Sequence, residues 1–333
     1  PLQATLEYHD EGCAAAISSG DVIQAAINKL FGNLSSFYAG VNLQTVREKG
    51  DEVISFMREK KIVIFMIQTQ QVQYSVLKLI GIDKEPKCVS AEEENILATN
   101  NSVKTTHYFQ KLYISFIFRF YDDTKDYAEK YLACIGRSTW AELYLSLSFQ
   151  VFYIGLTSFW AARKSRNDGE QWYERGNKSK LALKKWAETS RWTFENKWFL
   201  LEAEESFCNS NFDDAKMYYE KAISSAKDHK FVHEEALACE LAAYFYLEMG
   251  EVNNAAEYCL LAHKRYQTWG AIGKCTSLFK FFDGTLNERV ASSPAIANEV
   301  QSDLASLLPQ NSHQNTEDRK RRAGDKSLGN PEH

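Results

Sequence analysis

The chain has 333 residues, 44% of them hydrophobic and 25% charged, so it is long enough to bury a sizeable core. Its formal net charge of −5 is too small to indicate an acidic tail or a globally basic nucleic-acid-binding protein. Five prolines and 16 glycines are few for a β-sandwich or barrel of this length, which favours long helices joined by short loops.

Seven cysteines are scattered along the chain without a C-x-x-C pair. This spacing argues against a secreted disulfide scaffold and against a thiolate zinc site. Reduced thiols in a cytoplasmic protein are the expected state.

Hydrophobic periodicity predicts a series of helices through the first half of the chain. Gly20-Asp21 is a helix stop followed by an N-cap residue, and Ser90 with Glu93 forms a capping box. We expect antiparallel helix pairs, about five or six in the whole chain. The predicted helices are 2–19, 22–38, 42–60, 62–79, a short helix from residue 90, 107–121, 124–135, 139–164 and 170–191.

The segment 140–162 is the strongest candidate for a membrane span, because it is apolar and is followed by Arg163 and Lys164. It also contains Glu142, Gln150 and several Ser and Thr residues. A segment this polar inserts poorly, so we expect a helix buried between neighbours and no membrane span.

Residues 196–281 contain the clearest internal repeat. Each unit has the pattern helix, short turn, helix, with turns at 209–211 and 249–251, and Tyr219 and Phe245 are expected to fill the groove between units. This is typical of a tetratricopeptide-like solenoid, in which no unit buries its own face alone. An offset of 40 residues aligns Leu201 with Leu241, Ala203 with Ala243, Ala215 with Ala255, Tyr218 with Tyr258 and Ala222 with Ala262.

The composition changes at residue 284, where Ser, Asn, Gln and Asp become frequent and aromatic residues cease. We therefore divide the chain into N-terminal helical repeats (1–165), tetratricopeptide-like repeats (166–283) and a disordered tail (284–333). The tail contains the basic run Arg319-Lys320-Arg321-Arg322, which is either a nuclear-import patch or solvated charge.

Three sequence patterns are weak indications of a binding or catalytic site. Residues 270–276 resemble the end of a phosphate-binding loop, but the glycines are too close and Cys275 follows Lys274; we expect the last repeat helix there. His229 and His233 are expected four residues apart on one helix face, where two imidazoles can share a metal, but no third ligand is evident.

The third pattern interleaves tryptophans with basic residues, as in single-stranded nucleic-acid binding. Interspersed glutamates dilute the positive charge, so packing of the tryptophans between helices with a solvated basic face is the preferred interpretation. The residues are Trp172, Trp186, Trp192 and Trp198 with Arg175, Lys178, Lys180, Lys184, Lys185, Arg191 and Lys197.

The C-terminal repeats resemble a known family. The segments are Thr193-Phe-Glu-Asn-Lys-Trp-Phe-Leu-Leu-Glu-Ala-Glu204, Asp214-Ala215, Tyr219, Ala222-Ile223, His233-Glu-Glu-Ala-Leu-Ala238, Glu240-Leu241-Ala242, Tyr266-Gln-Thr-Trp-Gly-Ala271 and Lys274. They are similar to the tetratricopeptide-like region of very large multi-sensor signalling proteins. There a kinase-like domain and a P-loop ATPase precede the helical region, and GAF and histidine-kinase modules follow it. The resemblance is strongest over 193–280, and the chain itself contains no kinase, ATPase or phospho-accepting histidine motif.

The sequence and the resemblance together predict a non-catalytic, cytoplasmic module that contacts proteins during signal transduction, and the chain is expected to be a fragment of a larger protein. Its concave groove is expected to offer aromatic and charged side chains to a partner helix or to neighbouring domains. We predict no catalytic residue, cofactor, metal ligand or nucleic-acid partner. The alternatives are a free-standing adaptor, a metal-dependent helical enzyme built around His229 and His233, and a nucleic-acid-binding protein.

Overall fold

A computed structural model describes residues 2–84, 90–135, 146–165 and 167–291. These residues form a short 3-10 helix, Leu2–Thr5, and fourteen α-helices, with no β-strand among them. The helices are α1 (Leu6–Ser18), α2 (Val22–Tyr38), α3 (Leu43–Glu59), α4 (Val63–Ile80), α5 (Ala91–Thr99), α6 (Asn101–Ile117), α7 (Tyr121–Ile135), α8 (Ser146–Lys164), α9 (Gly169–Thr189), α10 (Arg191–Cys208), α11 (Phe212–Asp228), α12 (Val232–Glu248), α13 (Val252–Trp269) and α14 (Ile272–Ala291). The predicted all-α class is confirmed.

Local side chains start several helices as the sequence predicts. Asp21 accepts a hydrogen bond from the backbone N–H of Gln24 at 2.9 Å, and Ser90 accepts one from Glu93 at 3.2 Å. These caps satisfy amide groups that have no partner within the helix.

Two predicted boundaries are wrong around Arg119. The helix predicted at 107–121 begins at Asn101 and ends at Ile117, and the next begins at Tyr121 and not at 124. Arg119 lies in the left-handed region at φ 64°, so the chain turns there without the glycine that usually marks such a turn. A second difference is at the C-terminus, where α14 continues to Ala291, past the predicted start of the tail at 284. The rest of the predicted tail, 292–333, lies outside the described residues.

Six antiparallel pairs organise the helices, in agreement with the expected five or six: α1 with α2, α3 with α4, α6 with α7, α8 with α9, α10 with α11, and α12 with α13. The helices α8, α10 and α12 pack side by side as the first members of successive pairs. The fold is therefore a tetratricopeptide-like solenoid of helix pairs.

The predicted repeat is seen in the packing of the last two complete pairs. Ala203, Ala215, Ala243 and Ala255 are completely buried, as expected where small residues let paired helices approach closely. The rings of Tyr219 and Phe245 lie 5.4 Å apart between the two units, which confirms their predicted position in the groove.

Residues 1–282 form one compact unit, and the boundary predicted at 165/166 lies inside it, between the closely packed α8 and α9. Helix α12 shows how tightly the unit is closed, because every residue from His233 to Leu247 is buried. Helix α12 packs against its partner α13 and against α10 and α11, and residues of the N-terminal half lie beside it: Gly40 next to His233, and Arg119 4.3 Å from the ring centroid of Tyr244. The last described residues, 283–291 at the end of α14, belong to a second unit.

Candidate functional site

A row of three buried ion pairs connects the helices that face the inside of the solenoid. Arg163 of α8 contacts Glu204 of α10 at 2.7 Å, and Lys197 of α10 contacts Glu234 of α12 at 2.8 Å. The third pair joins Glu240 of α12 to Lys274 of α14 at 2.6 Å. We call these six residues the inner ion-pair row. Each pair bridges one helix to the next in the same layer, so the row lines the surface on which solenoids of this class usually bind their partners.

The pair at Lys274 has hydrogen bonds to two further neighbouring groups. The Lys274 Nζ donates to Glu240 Oε1 and to the carbonyl oxygen of Ile117, each at 2.6 Å, and the hydroxyl of Tyr266 donates to Glu240 Oε2 at 2.7 Å. Burial lowers the pKa of Lys274, and the charge of Glu240 opposes that shift. Two of the three N–H groups of the ammonium therefore have acceptors in the protein.

The ion pair at Arg163 has the same arrangement of hydrogen-bond partners. Arg163 donates to the carboxylate of Glu204 at 2.7 Å and to its carbonyl oxygen at 3.2 Å, while the hydroxyl of Tyr219 donates to the second carboxylate oxygen at 2.6 Å. In both clusters a buried glutamate binds one cation from an adjacent inner helix and one tyrosine from the partner helix. Because a buried charge is costly without such partners, a shift of one helix pair against the next that separated these groups would be unfavourable.

The central pair, Lys197–Glu234, lies beside a histidine that has no hydrogen bond. Neither ring nitrogen of His233 has a partner among the described residues, and Nε2 is 3.6 Å from Glu234 Oε1. Burial lowers the pKa of His233 to about 4, despite the opposing charge of Glu234. The imidazole is therefore neutral at pH 7, and its ring packs 5.2 Å from that of Trp269.

The N-terminal half covers this inner surface directly. Trp269 Nε1 donates to the carbonyl oxygen of Val41 at 3.1 Å, and a Cβ on Gly40 would lie only 2.5 Å from His233 Nδ1. Gly273 approaches the backbone of Gly81 just as closely, since a Cβ there would lie 2.5 Å from the Gly81 Cα. The expectation of a concave groove open to a partner helix is therefore wrong for this unit, because the chain's own helices fill the groove.

The two histidines predicted to share a helix face do not do so. Lys230, at φ 62°, turns the chain between α11 and α12, so that His229 caps the first helix and His233 lies in the second. His229 packs against Trp192 with 4.7 Å between the rings, at the surface, whereas His233 is buried. Across the described parts of the chain, no three His, Cys, Asp or Glu side chains come together as metal ligands would.

The glycine-containing segment 270–276 is a helix junction. Gly270 caps α13 in the left-handed conformation at φ 90°, and α14 begins at Ile272. The expectation of a helix here is confirmed from Ile272 on, although the break at Gly270 separates it from α13. Lys274, the residue that would contact a phosphate, is engaged with Glu240 in the inner ion-pair row.

The tryptophans of the aromatic and basic stretch do not form one stacking surface. Trp172 is 1% exposed, and Lys197 belongs to the inner ion-pair row. Trp198 is half-buried, its Nε1 donates to Glu202 at 2.8 Å, and the ammonium of Lys184 lies 5.6 Å from its ring centroid. The preferred interpretation, in which tryptophans pack between helices and basic residues lie outside, therefore holds for Trp172 but not for the buried Lys197 or for Trp192, which is 36% exposed.

The remaining sequence expectations concern the membrane and the cysteines. Helix α8 is buried along most of its length, and no helix among the described residues is long and apolar enough to cross a bilayer. Its predicted first residues, 139–145, lie outside the described part of the chain. The six described cysteines are free thiols, and burial raises the pKa of Cys239 to about 12.

No known protein family matches the chain, and no curated protein is significantly similar to it.

Proposed function

We propose that this chain is a non-catalytic helical-repeat module that relays a signal through protein contacts, as part of a larger signalling protein. The observation that carries the proposal is the filled inner groove. Helices of the same chain occupy the surface that solenoids of this class use for recognition, and the buried row of ion pairs connects the helix pairs behind it. The fold alone would not support the proposed function, because proteins of one fold can have many functions.

Because the inner groove is filled, partners must contact the outer surface of the unit. The second helices of the pairs, α9, α11 and α13, present exposed apolar side chains there: Leu181 is 54% exposed, and Met217 and Leu261 are each 40% exposed. Basic residues of α9, Lys178, Lys184 and Lys185, are exposed beside Leu181. A mixed apolar and charged surface of this kind is typical of contacts between domains of one chain.

The reading frame on both sides of residues 1–333 is the first test. An ATPase phosphate loop or a kinase catalytic loop in the same frame would support a relay segment whose partners are its neighbouring domains. Start and stop codons close to the two ends would instead support the alternative of a free-standing adaptor.

Hydrogen–deuterium exchange of the complete protein then tests the contacts directly. We expect α9, α11 and α13 to exchange more slowly in the complete protein than in the isolated chain, because neighbouring domains protect them. Equal exchange in both would contradict the proposal.

Two further measurements test the alternative functions. Stoichiometric metal in protein purified without chelators would favour the helical enzyme. Binding of single-stranded nucleic acid that weakens steeply with salt would favour the nucleic-acid-binding protein.

A further inference from the structure

A cavity of about 580 Å³ lies within the N-terminal half, between α2, α4, α5 and α6. Its size is within the range of small-molecule sites in proteins, about 300–1,000 Å³. The deeper wall is formed by side chains that are almost inaccessible to solvent, among them Leu30, Val72 and Phe109. Helix α5 closes one side with Ile96, so the space is a deep pocket and not a flat helix-binding groove.

Three polar side chains of the wall are hydrogen-bonded to other groups of the protein. Gln110 Oε1 accepts a hydrogen bond from Ser75 at 2.6 Å, and Gln150 Oε1 accepts one from the hydroxyl of Tyr131 at 2.8 Å. Gln68 Nε2 donates to Ser102 at 3.2 Å. A polar ligand would have to break these contacts, whereas a hydrocarbon would leave them intact and gain burial.

The mouth of the cavity combines exposed apolar side chains with one cation. Ile23 is 54% exposed and Ile64 is 40% exposed, and both line the opening. Lys61 lies beside them in the turn between α3 and α4, and among the described residues it forms no ion pair. Its neighbour Lys60 is paired with Glu59 at 2.8 Å. The only carboxylate of the described lining, Glu92, belongs to the exposed first turn of α5.

We propose that this cavity binds the hydrocarbon chain of a long-chain amphiphile with a negatively charged head group, such as a fatty acid. The chain lies between α2 and α6, and the head group pairs with Lys61 at the mouth. An apolar interior and a single available cation at the entrance fit a molecule that has one long apolar part and one charged end. This inference is independent of the proposed relay function.

Titration of the complete chain with cis-parinaric acid, a fluorescent long-chain fatty acid, tests the proposal. We expect its fluorescence to rise with saturable, one-to-one binding that palmitate reverses. Absence of saturable binding would overturn the proposal, and so would binding that Ile27→Trp leaves unchanged. Ile27→Trp fills the cavity from α2 and should weaken binding at least tenfold, while Ile17→Trp, on an exposed position of α1 outside the lining, should not. Thr106→Trp fills the space from α6 and replaces Ile27→Trp if thermal melting shows that variant to be misfolded.

A charge-matched comparison tests the head-group assignment. Lys61→Gln should weaken binding of the acid about 2- to 5-fold, as expected for one exposed ion pair, and should leave its uncharged methyl ester unaffected. Lys60→Gln is the matched control and should change neither affinity. Equal losses for acid and ester, or no loss for the acid, would refute the role of Lys61.

Discussion

At the scale of single residues, the inner ion-pair row is the most unusual feature of the protein. Lys197, Glu234, Glu240 and Lys274 have side chains that are 4%, 1%, 1% and 1% exposed. Removing two charges together from such a site is often tolerated, but removing one leaves the other buried without a partner. The sequence shows the charges but not their burial, since helix periodicity places Glu234 and Glu240 no differently from exposed glutamates.

Removing one member of a pair gives the first prediction. Lys274→Met should lower the free energy of unfolding by about 3–5 kcal/mol, because the buried Glu240 would lose the ammonium that compensates its charge. Denaturant unfolding followed by circular dichroism measures this. The double variant Lys274→Met/Glu240→Gln should recover much of the loss. As a control, Lys216→Met breaks a pair whose side chains are 37% exposed and should cost far less stability. Equal losses for the two single variants would contradict the burial of Lys274.

His233 gives a prediction about pH. Its pKa is about 4 in the folded protein, against 6.5 for an unperturbed histidine, so the unfolded chain binds a proton first as pH falls. The stability that depends on a neutral His233 is therefore fully present above pH 6.5. It is lost as the pH falls from 6.5 towards 4, because protonation of the unfolded chain favours unfolding. The loss amounts to about 3 kcal/mol at most.

The variant His233→Leu isolates this effect, because it keeps an apolar side chain against Trp269 and cannot be protonated. Between about pH 6.5 and 4.5 its unfolding free energy should fall less steeply than that of the wild type. Burial also lowers the pKa of His9 and His263, but both remain in the two proteins, so the difference between the curves belongs to His233. Parallel curves would contradict the buried neutral imidazole.

At the scale of elements, one type of turn recurs along the described chain. Nine helix ends carry a residue in the left-handed conformation, followed by a residue whose N–H bonds to the carbonyl five positions earlier. This is the Schellman arrangement, for which glycine is the usual residue. Glycine fills the left-handed position at 20, 40, 81, 250 and 270, whereas Lys61, Arg119, Ser210 and Lys230 fill the other four.

This difference explains several of the turns that were predicted from the sequence, although the break at Gly270 was predicted as helix and the stop at Lys61 was predicted without a glycine. The stops at Gly20 and Gly250 were predicted because glycine marks them, and Asn209-Ser210-Asn211 because repeat alignment places it opposite Gly250. The turn at Arg119 carried neither signal, and the predicted helix ran through it. The turn at Lys230 also lacks a glycine and was missed, although the 40-residue offset aligns it with Gly270, and this placed His229 and His233 on one helix.

Ser210 gives a prediction at this scale. Ser210→Gly should raise the unfolding free energy by about 0.5–1 kcal/mol, because a left-handed conformation strains any residue with a Cβ. The matched control, Ser224→Gly, changes an exposed serine in the interior of α11 and should lower stability by about 0.5 kcal/mol. Thermal or denaturant unfolding measures both. If both substitutions changed the free energy of unfolding in the same direction, the left-handed conformation at Ser210 would not explain the effect of Ser210→Gly.

At the scale of the whole molecule, the N-terminal half and the last repeats stabilise each other. Contacts between residues far apart along the chain hold them together, including those of Trp269 with Val41 and of Lys274 with Ile117. Removing residues 1–165 would expose the inner side of α12, with His233 and Tyr244 among its buried residues. An exposed surface of this kind leads to aggregation or loss of fixed packing.

We therefore expect a fragment of residues 166–291 to bind a hydrophobic dye, to lack a cooperative thermal transition and to aggregate in size-exclusion chromatography. The complete chain, treated identically, should show a cooperative transition of residues 1–282 and little dye binding. A monomeric fragment that unfolds cooperatively would show that the N-terminal half is an attached domain and not part of the core.

The sequence by itself determined the all-helical class, most helix boundaries and the repeat of residues 196–281. These depend on local periodicity, caps such as Asp21 and small residues such as Ala203, all of which act within one helix pair. Only the tertiary structure decided that the inner groove is filled and that Lys274 and Glu234 are buried charges. Both outcomes depend on side chains from different helix pairs. A charge is buried, and its oppositely charged partner is brought next to it, only when the helices pack together.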